Sequence, residues 1–267
     1  MVTVKSTPLD SPLYQMDPER GVEYWGCRAV MAGFIVAGDV SDLVPHGLHL
    51  DTPAVGAVLI ADYGASTLGP YAEYVSILRV TDDNGTAGLY VPYIYVTVDS
   101  AMAAGREVLG APKKIASIGL DQRPEAIVGY LNRPAGTSLA EVIISPSERL
   151  PAEVFDAFLP SGTPMFSLRN LPGPPGATQV CELIQWNCDL ALHKDAFGDD
   201  IRFTGPGSIT YPAHSGVDPV HRLEVDTFIA GAYVEFDMRL TAGKVVWSDT
   251  LTALSEFHDE KESVPTG

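Results

Sequence analysis

The sequence predicts a β-rich α+β fold: one domain over residues 1–267, built on a barrel-like or curved antiparallel sheet with few short helices. Three observations predict it. Apolar runs of strand length, rich in Val, Ile, Tyr and Phe, recur along the chain, while helix-favouring stretches are few and short. The 25 glycines and 21 prolines supply the turns that many strands need. No segment repeats at a fixed period, and a hydrophobic content of 46% is enough to fill a sizeable core.

Residues 1–20 place Pro8, Asp10, Pro12, Asp17 and Pro18 close together, which reads as an extended arm, because proline restricts its own residue and the one before it. Residues 23–37 carry Tyr24, Trp25, Val30, Phe34, Ile35 and Val36, good strand formers. A short helix at 39–44, capped by Asp39 or Ser41, ends at Pro45. Strands follow at 54–63 and 71–79. Asp82-Asp83-Asn84-Gly85 then turns the chain tightly into a strand at 89–98. Asp99 or Ser100 caps a helix over 99–109 that stops at Gly110. A strand at 114–118 comes next, then strands at 126–131 and 140–144 and a short helix at 152–155. Pro172-Gly173-Pro174-Pro175-Gly176 makes a hairpin tip or surface loop, and strands occupy 180–192 and 223–240, the latter with a break near Gly231. Residues 255–267 are acidic and polar, a frayed tail.

Composition closes off several classes of function. A net charge of −17 opposes nucleic-acid binding, which needs a basic face, yet leaves room for a small anion in a local basic pocket. Cys27, Cys181 and Cys188 are an odd number without CxxC spacing, which argues against a disulfide framework or a zinc site and fits a reducing cytoplasm. Residues 1–8 lack the apolar core of a signal peptide, and no apolar run reaches the roughly 18 residues of a membrane span. His193, His214 and His221 have no metal-ligand spacing.

Two features carry candidate chemistry. Lys113 and Lys114, two of only six lysines, sit side by side after Pro112 and before a strand-like segment. An ammonium beside another ammonium gives up its proton more readily, and a neutral lysine amine attacks ketones to form an imine. The pair alone reads more often as a solvated turn. Glu73 lies between apolar neighbours on a strand that reads as buried, where a carboxylate needs a cation or hydrogen bonds. An outward-facing Glu on an edge strand is the alternative.

The string Gly105-Arg106-Glu107-Val108-Leu109-Gly110-Ala111-Pro112-Lys113-Lys114 resembles the acetoacetate decarboxylase family, in which a Gly-Arg-Glu stretch leads through a proline into a lysine pair. The resemblance spans about residues 6–240, with supporting matches at residues 6–12, 44–53 and 181–183. It implies that Lys113 forms the Schiff base, that Lys114 lowers its pKa, and that Glu73, in Gly69-Pro70-Tyr71-Ala72-Glu73, is the active-site glutamate. It also implies a lyase acting on a small keto acid through an iminium and an enamine, with no metal or organic cofactor, assembled as a homo-oligomer. The sequence departs from the family at two points. Val22 stands where its decarboxylases carry an arginine, and Val58 aligns with a second pocket glutamate. Arg20, or less directly Arg28, is the available substitute for the missing cation, and Glu182 reads as a structural hydrogen-bonding residue. Aldol addition or dehydration through the same lysine is the alternative reaction, and a non-catalytic small-molecule-binding scaffold is the alternative class.

Overall fold

The computed structural model describes residues 21–159, 162–174, 179–241 and 243–249. The N-terminal arm with Arg20 and the acidic tail lie outside the described residues. The first half of the chain runs β1 (Val22–Val36), β2 (Leu48–Leu50), β3 (Val55–Ser66), β4 (Tyr71–Asp82), β5 (Ala87–Val96), α1 (Asp99–Ala104), β6 (Lys113–Ile115), β7 (Ser117–Gln122), β8 (Ile127–Asn132) and β9 (Ser138–Ile144). The second half runs β10 (Glu148–Arg149), α2 (Ala152–Phe158), β11 (Pro164–Leu171), β12 (Val180–Leu192), β13 (Arg202–Thr204), β14 (Gly207–Thr210), β15 (Val225–Leu240) and β16 (Lys244–Asp249).

Seven of these strands form a ring. In order they are β15, β1, β3, β4, β5, β11 and β12, and β12 closes on β15 by pairing Cys188–Leu192 with residues 236–240. Closure removes the unpaired edges that an open sheet would expose. The expected antiparallel pairing holds along most of the ring. It is broken by parallel pairing of β5 with β11 and of β5 with β6, so the sheet is mixed. A second, four-stranded sheet, β14-β9-β8-β7, packs on the outer face of β1, β3 and β4.

Two cores result, and side-chain alternation assigns residues to each. On β1, Ala29 and Met31 enter the barrel, while Val30, Ala32 and Phe34 meet the second sheet. On β4, Tyr71, Val75 and Ile77 point inward, while Ala72, Tyr74 and Leu78 point outward. Because both faces are covered, β4 is buried almost throughout and reads as a continuous apolar run. Glu73 has the parity of Tyr71 and Val75 and therefore faces inward.

The β4–β5 hairpin forms at the expected turn. There the Asp82 carboxylate accepts the amides of Asn84 at 2.9 Å and Thr86 at 2.7 Å. The helix expected over 99–109 is present but changes character. It is α-helical to Ala104 and a π-helical turn over Gly105–Leu109. Its cap also differs: Val98 is the N-cap, and the Ser100 hydroxyl instead donates to the Leu68 carbonyl at 2.9 Å, tying the helix to the β3–β4 loop. The expected strand at 114–118 is two strands in two sheets, β6 on the barrel and β7 on the outer sheet. The break expected near Gly231 is a bulge in β1–β15 pairing rather than an interruption of β15.

Candidate active site

The route from α1 to β6 sets the position of the lysine pair. Gly110 ends the π-helical turn in the left-handed region, at φ +71°, which glycine adopts without a Cβ penalty. The Ala111 amide then donates to the Gly105 carbonyl at 3.0 Å, and the chain enters β6. There Lys113 lies opposite Ile94 and Lys114 opposite Tyr95. Ile94 belongs to the barrel core and Tyr95 to the outer one. Successive strand side chains point to opposite faces, so the two lysines part company at once.

Lys113 enters the barrel and Glu73 meets it. The ammonium Nζ donates to Glu73 Oε2 at 2.7 Å, and both residues are buried, at 5% and 7% exposure. The Tyr63 hydroxyl donates to Glu73 Oε1 at 3.0 Å. Tyr63 stays a neutral donor, because burial first and the Glu73 charge second push its phenol well above the usual range. Tyr24, Tyr63 and Tyr71 pack their rings together, the Tyr24 and Tyr71 hydroxyls are hydrogen-bonded at 3.0 Å, and Lys113 Nζ lies 5.8 Å from the centre of the Tyr71 ring. That distance lies within cation–π range. The ion pair is thus roofed by aromatic side chains and removed from bulk water.

The glycine of the Gly-Arg-Glu motif has a steric role that its backbone angles do not reveal. A Cβ at Gly105 would lie 2.4 Å from Lys113 Cδ and 2.6 Å from Cε, so the lysine chain runs directly across that position. Arg106 reaches the Lys113 carbonyl at 3.4 Å. Gly105→Ala is expected to fold, since its backbone is ordinary right-handed helix, but to push Lys113 off Glu73. A loss of activity of roughly 100-fold with little change in melting temperature is the expected result, in line with the cost of a 1 Å misplacement. Wild-type activity in that variant would show that the lysine chain has room elsewhere.

Lys114 leaves the barrel on the opposite face. Its Nζ bonds Asp218 Oδ1 at 2.9 Å and the Val217 carbonyl at 2.5 Å. Asp218 is itself buried and also receives Arg133 Nε at 3.0 Å and the Tyr95 hydroxyl at 3.3 Å. Burial alone would raise the Asp218 pKa. The hydrogen bond and charge of Lys114, with Arg133, outweigh it and hold the carboxyl below the usual range. The field of Lys114 is therefore compensated locally, and the structure does not bring this residue to Glu73 and Lys113.

Beyond Glu73 the barrel holds a cavity of about 70 Å³ lined by Leu59, Val75, Ile77, Ile94, Met165, Trp186, Cys188, Phe236 and Met238, among others. Its described lining contains no arginine, lysine or histidine; Lys113 adjoins it through its bond to Glu73. Burial pushes the Cys188 thiol up to about 12, so it is not a competing nucleophile at neutral pH. Two pocket assignments need correction. Val58 lies on the outer face of β3, packed toward the second sheet, and it is Leu59 that lines the cavity; strand parity separates them. Arg28 is paired with Asp62 at 2.8 Å and partly exposed, so it does not serve the cavity. Val22 does pack in the barrel core. Glu182 accepts from Arg169 Nε at 2.7 Å, a structural pair.

Sequence reasoning missed Tyr63, Gly105 and Asp218. The register β3–β4, which sets Ala61 opposite Glu73 and Tyr63 opposite Tyr71, puts Tyr63 inward, and alternation along residues 54–63 carried that signal. Asp218 sits in an irregular loop and gave no periodic signal.

Comparison with known proteins bears on this geometry. The family model described as Acetoacetate decarboxylase (ADC) matches residues 6–250. The acetoacetate decarboxylase of Burkholderia ambifaria (strain MC40-6) is 27% identical over 241 residues, covering 90% of this chain and 93% of that protein. A solved acetoacetate decarboxylase superposes with a TM-score of 0.79 at 23% identity, covering 91% of this chain and 95% of that one. The enduracididine biosynthesis enzyme MppR, solved in complex with pyruvate, superposes with a TM-score of 0.68 at 18% identity, covering 85% and 90%.

Proposed function

Because the chain belongs to the acetoacetate decarboxylase family, we propose that it is a carbon–carbon lyase that binds a small keto acid as an imine on Lys113 and releases its carboxylate as CO2. The observation that carries this reading is the buried Lys113–Glu73 pair at the polar end of an otherwise apolar cavity. The Lys113 amine attacks the ketone carbon, and water leaves to give a protonated imine. The imine nitrogen draws in the electron pair of the bond to the carboxylate, CO2 departs, and an enamine remains. Protonation at carbon and addition of water return the lysine and a ketone. Glu73 takes the proton from the attacking amine and supplies it later, within hydrogen-bond reach and held in place by Tyr63.

Among the described residues the cavity lining carries no cation, which favours decarboxylation over aldol addition or dehydration. A carboxylate retained through the reaction must stay buried, which is costly without a partner. A carboxylate that leaves as neutral CO2 is relieved of that cost in the transition state. Lys114 acts as a positioning residue. Through Asp218 it fixes the three-residue strand that aims Lys113, and it stabilises that strand rather than the imine. Exposed Phe197, Val217 and Val245 fit assembly into a homo-oligomer.

Borohydride trapping tests the reading. Reduction in the presence of acetoacetate is expected to leave a stable adduct on the tryptic peptide containing Lys113. Lys114→Ala is expected to keep the trapping rate within about tenfold, as for loss of a compensated, partly exposed charge. Folded protein that gives no adduct with any keto acid would sink the proposal.

A further inference from the structure

The barrel is longer than a four-carbon acid needs. The cavity at Glu73 is followed by a second one of about 320 Å³, lined by Met31, Ala57, Ile77, Leu89, Val154 and Leu159 and reaching Arg79 at its rim. Ile77 and Leu159 line both cavities, so these side chains stand between the two. Ile77 and Leu89 are buried in the barrel core, and Leu159, at the end of α2, packs against that core. Among the described residues, Lys113 with Glu73 lies at one end, and Val75, Ile77 and, at the rim, Arg79 lead away along β4 into a mostly apolar second cavity whose lining also includes Glu153.

We infer that the substrate is a 3-oxo acid with an unbranched apolar chain, whose ketone reaches Lys113 and whose tail runs past Ile77 into the second cavity. This rests on the imine chemistry proposed above and specifies its substrate class. The reaction balances as before, since the 3-oxo carboxylate and one proton give a methyl ketone with the chain intact and CO2. Each methylene that leaves water for the apolar path adds binding energy made equally in ground and transition states, so the gain appears in KM. It is expected to raise kcat/KM roughly fourfold per methylene, the factor equivalent to about 0.8 kcal/mol per buried CH2. The rise stops when the chain reaches the open rim at Arg79, which is half exposed and paired with Asp51.

The test is the chain-length profile of CO2 release from acetoacetate, 3-oxohexanoate, 3-oxooctanoate and 3-oxodecanoate, each also scored for borohydride adduct on Lys113. The expected result is kcat/KM climbing with length through KM. Ala57→Phe, which fills the second cavity from β3, should lower the ratio of the ten-carbon to the four-carbon rate by tenfold or more. If that variant fails to fold, the wild-type profile alone decides. A profile that falls from acetoacetate onward, with adducts formed normally, overturns the tail assignment and leaves the imine chemistry standing. The absence of adduct at every length overturns both.

Discussion

Lys113→Met is expected to abolish both borohydride trapping and CO2 release, the latter by roughly four orders of magnitude or more, as for other lost nucleophiles. Methionine has nearly the length of the lysine stem and suits the aromatic surroundings of Tyr24, Tyr63 and Tyr71, so steric damage is small. The electrostatic damage is not small. Glu73 would stay buried with the Tyr63 hydroxyl as its remaining described partner. Removing one partner of a buried pair typically costs about 3–5 kcal/mol. Calorimetry of Lys113→Met should therefore show a lower melting temperature. The double replacement Lys113→Met with Glu73→Gln should restore most of it, because no net charge is left inside. A double variant no more stable than the single one would mean that the pair does not set the stability of this end of the barrel.

Glu73→Gln separates proton handling from imine geometry. Glutamine keeps an oxygen for the Tyr63 hydroxyl and a shape that fits between Tyr63 and Lys113, but it cannot take up a proton. Loss of a positioned general acid–base group typically costs 10²–10⁴-fold, so kcat is expected to fall by roughly that factor. The substrate contributes little binding to this carboxylate, and KM should move far less. Stopped-flow trapping distinguishes the steps: slow adduct formation places Glu73 in imine formation, and normal adduct formation with slow CO2 release places it later. Unchanged kcat would remove Glu73 from the mechanism.

The fold was legible where the chemistry of single segments decides it. Residues 71–79 and 180–192 read as strands because their apolar content and β-branched or aromatic side chains leave little choice. The segment 164–171 did not, since Pro164, Arg169 and Asn170 dilute the pattern. Its strand character comes from pairing with β12 and, through Met165 and Phe166, with β5. The π-helical turn at Gly105–Leu109 is likewise tertiary, set by where Lys113 has to lie. At the site, residue identity singled out Lys113 and Glu73, which the structure brings together as a buried pair. Adjacency in sequence did not place Lys114 beside Lys113 Nζ, because neighbours on a strand point to opposite faces. The same parity rule moved Val58 out of the pocket and Leu59 into it. Asp218, which organises the outer side of the lysine pair, became visible only when a loop more than a hundred residues away folded back onto β6.

The ring of strands is unevenly joined. β1 runs beside β15 and β3 for most of its length, but β5 and β11 share only the pairs Met165–Leu89 and Phe166–Tyr90. Further along β5, Ile94–Val96 pair with β6, which carries Lys113. A hoop under strain gives at its narrowest joint, and local opening follows the fewest bonds. The compliance of this barrel is therefore expected on the β5 edge that also carries Lys113. A bulky occupant would spread the wall there first, shifting the lysine as it did so, while the rest of the hoop held its circumference. If Lys113 is the reacting group, the room for an occupant and the position of that group are coupled at one edge of the hoop.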